Sequence, residues 1–486
     1  MISLKNILLA VGILMISSTS LSAQIYDQAG SSKIINAGST PLFEMDTSYA
    51  PFIVRSIIIS GNKKTRSNMI LRELGFEVGQ QFALPSLVNK FENASRQLIN
   101  TALFHEAIIS LKSLEGYQVD VSVVVKERWY VFPVPYFKII DRNLNQWWVE
   151  SKRSFDRVNY GAKFFHNNLT GRNDQLNLWL TNGYAKQAML SYDRMFIDKK
   201  MKWGTKASLE FGKNREVNYK TSNNKQVFVK DGNNFLRDYF KAKVELTYRP
   251  AIYTRHRIGF SYLQETFSDT VFTLNASFFN EKKNKINLPE LYYDLQYFNV
   301  DYIPYPLKGV AANINISKKG WNSNLNMWQL TARGMKSWPI AHRYYFSVNA
   351  TGVLKLPFNQ PFYNQALLGY SGMQMQGYEY YVIDGAVGGY AKATLTHELV
   401  KFKVPIPPNK IDGLAFIPFR IYGKVFTNAG YVHNPNPGFN NLNNKMLYSG
   451  GVGLDIVTIY DFIIKLEWSF NPLGQNGLYL HNKTYF

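Results

Sequence analysis

The sequence predicts a small α+β domain followed by a transmembrane antiparallel β-barrel of about 16 strands, and three observations predict it. Residues 52–128 carry strand, helix, helix, strand and strand patterns in that order. The chain beyond them breaks into repeated segments, each with one apolar and one polar face, separated by Asn, Gly, Lys and Pro. No run of about 18 apolar residues follows residue 23, so a bilayer crossing has to be made by strands closed on themselves.

Composition narrows the class. Of 486 residues, 46% are apolar and 18% charged, enough to build a core and too apolar for a chain that is mainly disordered. The absence of Cys excludes a disulfide framework, a thiolate metal site, a cysteine nucleophile and lipid attachment through an N-terminal cysteine. The 33 Phe, 32 Tyr and 9 Trp suit a surface that meets lipid headgroups. A mean hydropathy of −0.22 is too low for a helical membrane protein. The net charge of +21 raises nucleic acid as a partner, but the export signal described next argues against it and favours anionic lipopolysaccharide or acidic polypeptide segments.

Lys5, the apolar stretch 7–16 (ILLAVGILMI) and the small polar stretch 17–23 (SSTSLSA) predict a signal peptide over residues 1–23. Residues 24–50, with scattered Gly, Ser and Pro, predict a flexible leader. The α+β domain then spans 51–128. FIVRSIIIS is its first strand and Gly61-Asn62 its turn. Residues 67–74 form a short helix, and Leu87, Phe91 and Leu98 lay an apolar stripe on a second. Val119, Val121, Val123 and Val125 alternate along the last strand. This order, with Ile70, Leu71 and Leu74 before Gly75, Leu103-Phe104 leading into the second strand and Glu127 closing the third, resembles a POTRA domain. The resemblance implies capture of unfolded polypeptide or a partner protein by strand addition at an open sheet edge.

The barrel is expected over 129–486. Residues 206–211, 241–248, 392–399 and 464–470 each alternate apolar with polar or charged side chains. A soluble sandwich shows the same alternation. The export signal, the aromatics at expected strand ends (Trp129-Tyr130, Trp147-Trp148, Tyr344-Tyr345, Tyr380-Tyr381) and the terminal Tyr485-Phe486 choose the barrel. Sixteen strands from Pro135 onward leave about 22 residues for each strand with its connection, of which about 10 cross the membrane. The stretches 213–234 and 434–444 are expected to be solvated outer loops.

Residues 168–176 (NLTGRNDQL), joining the second and third barrel strands, and the last five strand segments (391–399, 419–432, 450–457, 462–470 and 478–486) resemble the BamA/TamA superfamily of outer-membrane assembly and translocation barrels, also called the bacterial surface antigen family. The terminal aromatic resembles the sorting signal of bacterial barrels. The superfamily folds a long loop into the lumen, tipped by an Arg-Gly-aromatic motif whose arginine pairs with an aspartate on the wall. Here that loop is 369–385, its tip is Met375-Gln376-Gly377-Tyr378, and the wall position is Asn428. Both charges are replaced by amides, and Gln376 is expected to touch Asn428; a neutral pair is weaker than a charge-assisted one. The resemblance also implies a seam between the first strand, near residues 129–141, and the last, with Gly477, Leu478, Leu480, Tyr485 and Phe486 at the closing edge and Gly474 and Gly477 beside it.

The seven histidines show no i, i+4 metal spacing, and there is no phosphate loop or nucleophile elbow. No catalytic, metal or cofactor site is therefore expected, and any work comes from binding. The implied function is insertion of outer-membrane proteins at the barrel seam. A secretion pore for a dedicated partner and a non-catalytic scaffold are the alternatives. The expected partners are unfolded outer-membrane proteins or a secreted partner, the lipid bilayer with lipopolysaccharide, and accessory lipoproteins. The expected location is the bacterial outer membrane, with the small domain in the periplasm.

Overall fold

The computed structural model describes residues 51–140, 155–281, 283–322, 325–370, 372–406 and 416–481. The expected signal peptide and leader, Trp147-Trp148, Tyr485 and Phe486 lie outside the described residues.

The N-terminal domain consists of β1 (Phe52–Ser60), α1 (Ser67–Leu74), β2 (Gln81–Phe82), α2 (Leu84–Asn100), β3 (Phe104–Glu115) and β4 (Gln118–Glu127). The two-residue β2 is an element the sequence pattern did not mark. Sheet order is β2-β1-β4-β3, with β1 parallel to β4. The alternating valines of β4 are almost wholly buried and pack, with Leu87 and Leu98 of α2, around Ile70 and Leu74 of α1. Gly61 turns the chain after β1 at φ +86°, where a Cβ would meet the Val125 carbonyl at 1.9 Å. Asn62 follows, its amide donating to the Thr65 carbonyl at 3.0 Å.

Beyond this domain, sixteen strands of the described residues form one antiparallel sheet. Its first strands are β5 (Val131–Ile139), β6 (Val158–Asn167), β7 (Gln175–Gly183), β8 (Lys186–Phe196) and β9 (Trp203–Asn214). A two-stranded hairpin, β10 (Glu216–Ser222) and β11 (Lys225–Lys230), intervenes. The sheet resumes with β12 (Arg237–Tyr248), β13 (Thr254–Phe267), β14 (Lys285–Val300), β15 (Gly309–Lys319), β16 (Met327–Ala341) and β17 (Tyr344–Leu356). A second short pair, β18 (Ala366–Leu368) and β19 (Ile383–Asp384), precedes β20 (Val387–Pro405), β21 (Phe416–His433), β22 (Met446–Val457), β23 (Ile463–Phe470) and β24 (Asn476–His481). Neighbours in the sheet are neighbours in sequence, apart from the two inserted pairs.

The burial pattern of this sheet is inverted relative to a soluble fold. Leu209, Val244, Ile258, Leu291, Val425 and Val452 are exposed, while Glu245, Glu265, Ser317, Lys424, Asp455 and Glu467 are buried. Because side chains alternate along a strand, one face is mainly apolar and turned outward, and the other is mainly polar and turned inward. A soluble sandwich would bury the apolar face instead.

Two expectations about loops are corrected. The stretch 213–234 begins in β9 and folds into the β10–β11 hairpin, and 434–444 packs against it. Asn224 at the hairpin tip is fully buried: its backbone N–H donates to Asn440 Oδ1 at 2.8 Å, and its own Oδ1 accepts from the N–H groups of Asn441 and Leu442 at 3.0 and 3.1 Å. These Asn-rich segments build a packed cap because each side-chain amide satisfies backbone groups that water would otherwise serve. Tyr380-Tyr381, expected at a strand end, lies in the connection between β19 and the loop tip.

Candidate functional site

The connection from β17 to β20 leaves the sheet and turns inward. Its two feet are held by one cation: Lys355 Nζ, buried on β17, donates to the carbonyls of Asn364 at 2.8 Å, Ala366 at 2.7 Å and Gly385 at 3.4 Å. Above this clamp β18 and β19 pair as a neck. Leu368, Met373, Met375, Tyr378 and Ile383 then pack on Val432 and Leu447 of the wall as a small apolar core.

At the tip, Gln376 Nε2 donates to Glu467 Oε1 on β23 at 2.7 Å. The Gln376 backbone carbonyl accepts from Ser449 Oγ at 2.5 Å and from Asn428 Nδ2 at 3.4 Å. Asn471 Nδ2 donates to the Gly377 carbonyl at 2.6 Å, and the Tyr378 hydroxyl donates to the Tyr448 carbonyl at 3.3 Å. The expected contact of Gln376 with Asn428 is therefore made through the loop's main chain, and no amide-to-amide pair forms. A carboxylate is the stronger acceptor, so the glutamine side chain goes to Glu467.

The interior still holds a charge pair, displaced from the two positions the sequence comparison singled out. Lys424 lies on β21 four residues before Asn428, hence on the same face. Its Nζ donates to Asp455 Oδ1 at 2.6 Å and to Glu467 Oε1 at 2.5 Å. All three groups are nearly inaccessible, and burial of this kind is tolerated only when each charge is paired and hydrogen-bonded. The Tyr305 hydroxyl, from the β14–β15 connection, donates to Asp455 at 2.8 Å. His481 of β24 meets the second Glu467 oxygen at 2.7 Å. One carboxylate thus joins loop tip, wall and last strand. The alternation of residues 464–470 placed Glu467 on the polar face, but nothing in the sequence said which groups would reach it.

Gly377 is required where it stands. It has φ +85°, and a Cβ there would lie 2.6 Å from Ser449 Cβ. Gly377→Ala is expected to cost about 1–3 kcal/mol of loop docking through overpacking and left-handed strain. Hydrogen exchange across residues 375–381 should speed up by about tenfold or more; unchanged protection contradicts the packing.

Near this tip the sheet reaches its end. Among the described residues β24 pairs with β23 over Asn476–His481. Gly477 lies within β24, opposite Ser469, and Gly474 occupies the preceding turn at φ +78°. Leu478 and Leu480 are 72% and 68% exposed on the outward face. Among the described residues β5 and β24 are the two ends of the sheet, with no ladder between them.

The N-terminal domain is fastened to the connections at its own end of the sheet. The Arg66 backbone N–H donates to the Gly171 carbonyl at 2.9 Å. Arg72 Nη1 donates to the Met201 carbonyl at 3.0 Å, and Asn100 Nδ2 to that of Val300 at 3.3 Å. Arg249, after β12, places two guanidinium nitrogens on Glu73 of α1 at 2.6 and 2.8 Å, and Arg128 grips Asp461 in the same bidentate way at 2.8 and 3.1 Å. Burial alone would raise the Glu73 carboxyl, but the guanidinium groups of Arg249 and Arg72 overcome it and hold the group down at about 2. The domain keeps β3 as an edge strand, with Ile108, Leu111 and Leu114 exposed along it.

Comparison with known proteins gives two family matches. The Omp85 superfamily domain matches residues 168–459, and the surface antigen variable number repeat, the POTRA domain, matches residues 52–128. Among solved structures, BamA from Haemophilus ducreyi lacking POTRA domains 1-3 is similar at 16% identity and a TM-score of 0.47, covering 89% of this chain and 83% of that one. CdiB from Acinetobacter baumannii is similar at 12% identity and a TM-score of 0.48, covering 87% and 71%. CdiB from Escherichia coli gives 10% identity and a TM-score of 0.48, covering 91% and 90%. No curated protein matches by sequence.

Proposed function

Because the chain belongs to the Omp85 superfamily, with a single POTRA domain ahead of an outer-membrane insertion or translocation barrel, we propose that it assembles other outer-membrane proteins, and does so by binding. The POTRA domain, placed in the periplasm, captures unfolded polypeptide as an added strand on the open edge of β3. The barrel then templates the arriving strand at the seam between β5 and β24. The observation that carries this reading is the last strand: among the described residues it is paired on one side only, by β23, and is the place where the sheet's backbone groups are most readily offered to another chain. A lumenal route for a secreted partner would first have to displace the loop, whose tip is held by Glu467, Ser449 and Asn471.

The chain has no cysteine, so an introduced pair is the only one present. The test is the folding rate of a small barrel protein into liposomes containing the purified chain. The rate should rise above that of empty liposomes and fall back when a disulfide staples β5 to β24. Unaltered folding with open-channel conductance would contradict the seam and favour a pore. Neither activity would leave a scaffold.

A further inference from the structure

We propose that the outward wall of β7, β8 and β9, at the end far from the POTRA domain, carries a binding groove for a phosphorylated lipid. The inference rests on the reading of the sheet as a membrane barrel and adds a site to it. Two rows of outward side chains run across the strands here. In one row, register pairs Leu180 with Ala188, Ala188 with Phe211 and Phe211 with Phe240. The small Ala188 between Leu180 and the Phe211–Phe240 ring pair, whose centroids are 4.9 Å apart, leaves a depression of about 560 Å³. That volume suits an acyl chain lying against the wall, where a uniformly large row would leave no room.

The next row, two residues further out, is polar and basic. Lys186 pairs with Lys213, and Lys213 with Asp238. Lys186, Lys213 and Arg215 converge on the Phe235 ring at 5.5, 5.8 and 5.1 Å. Asp238 stands 2.8 Å from Lys213 and Asp231 lies near Arg215, so two carboxylates face three cations and the cluster keeps one positive charge in excess. Arg215 donates through Nη1 to the Gly232 carbonyl, but its Nε is buried without a hydrogen-bond partner among the described residues. Three cations gathered on one ring at the rim of an apolar trough complement an anionic headgroup above an acyl chain, with the ring holding the cations together in its absence. The side on which they stand is the one opposite the POTRA domain, so the ligand belongs to the leaflet facing away from it.

The experiment is native mass spectrometry of the detergent-extracted full chain with added lipid A, which carries phosphates and acyl chains. The wild type should retain one lipid A per chain. Ala188→Trp, which fills the trough, and the double variant Lys186→Gln/Lys213→Gln, which removes two cations, should each retain it at least tenfold less. Val452→Trp, outward on β22, should bind as the wild type does, and phosphatidylcholine should not be retained. Equal lipid A retention by all four proteins, or equal retention of phosphatidylcholine, overturns the groove. Each protein is also assayed for folding into vesicles by heat-modifiable mobility. A wild type that enters vesicles but shows no groove-dependent retention defeats this inference alone, and one that never enters them defeats the barrel reading with it.

Discussion

Replacing Glu467 with alanine is expected to free the interior loop and loosen the last strand in one step. The substitution removes the acceptor for Gln376, one of the two carboxylates around Lys424, and the partner of His481. Breaking a buried ion pair by deleting one member costs about 3–5 kcal/mol, because the remaining charge stays desolvated. Lys424 keeps Asp455, which places the loss at the lower end of that range. The measurement is the temperature at which the folded barrel loses its compact mobility, together with hydrogen exchange at residues 375–381 and 476–481. Both segments should lose protection together. Glu467→Gln keeps an oxygen acceptor for Gln376 and leaves Lys424 with Asp455, so it should recover part of the loss. Loss of protection in one segment alone contradicts the shared carboxylate.

Arg249→Ala is expected to detach the POTRA domain from its end of the sheet. Glu73 would keep Arg72 beside it but lose its bidentate partner, at a cost of about 3 kcal/mol to docking. The pH dependence has a definite sign. Docking holds the Glu73 carboxyl at about 2, below the ordinary glutamate value of about 4.3. The stabilisation is therefore fully present above about pH 4 and is lost as pH falls through 2. In Arg249→Ala the carboxyl is held less firmly, so detachment should begin at a higher pH. Cross-linking between a cysteine in α1 and one in the β12–β13 connection reads this directly. An identical cross-linking profile for the two proteins from pH 7 to pH 3 contradicts the ion-pair fastening.

The alternation in 206–211 and 464–470 identified an apolar and a polar face, and the export signal and aromatics said that the apolar one meets lipid. The valines of β4 and the stripe on α2 were legible because period-2 and helical patterns are local. The fate of Gln376 was not. Its expected partner Asn428 is on the right strand and near the loop tip, but the acceptor that captures the glutamine side chain lies on β23, and register across three strands brings it there. Glu73 was hidden for a related reason: in a helix of eight residues it reads as one more charged position beside Arg72, and docking against the β12–β13 connection adds the bidentate partner Arg249. Asn-rich stretches such as 434–444 look solvated by composition. They pack because the β10–β11 hairpin arrives from more than 200 residues away.

The seam is the centre of the account, and photo-cross-linking during assembly tests it most directly. A photoreactive residue at Leu478 or Leu480 on the outward face of β24 should cross-link to a folding outer-membrane protein, and the same group at Leu291, outward on β14, should not. Equal cross-linking at all three positions, or cross-linking from the lumenal face alone, would contradict a templating role for the first and last strands.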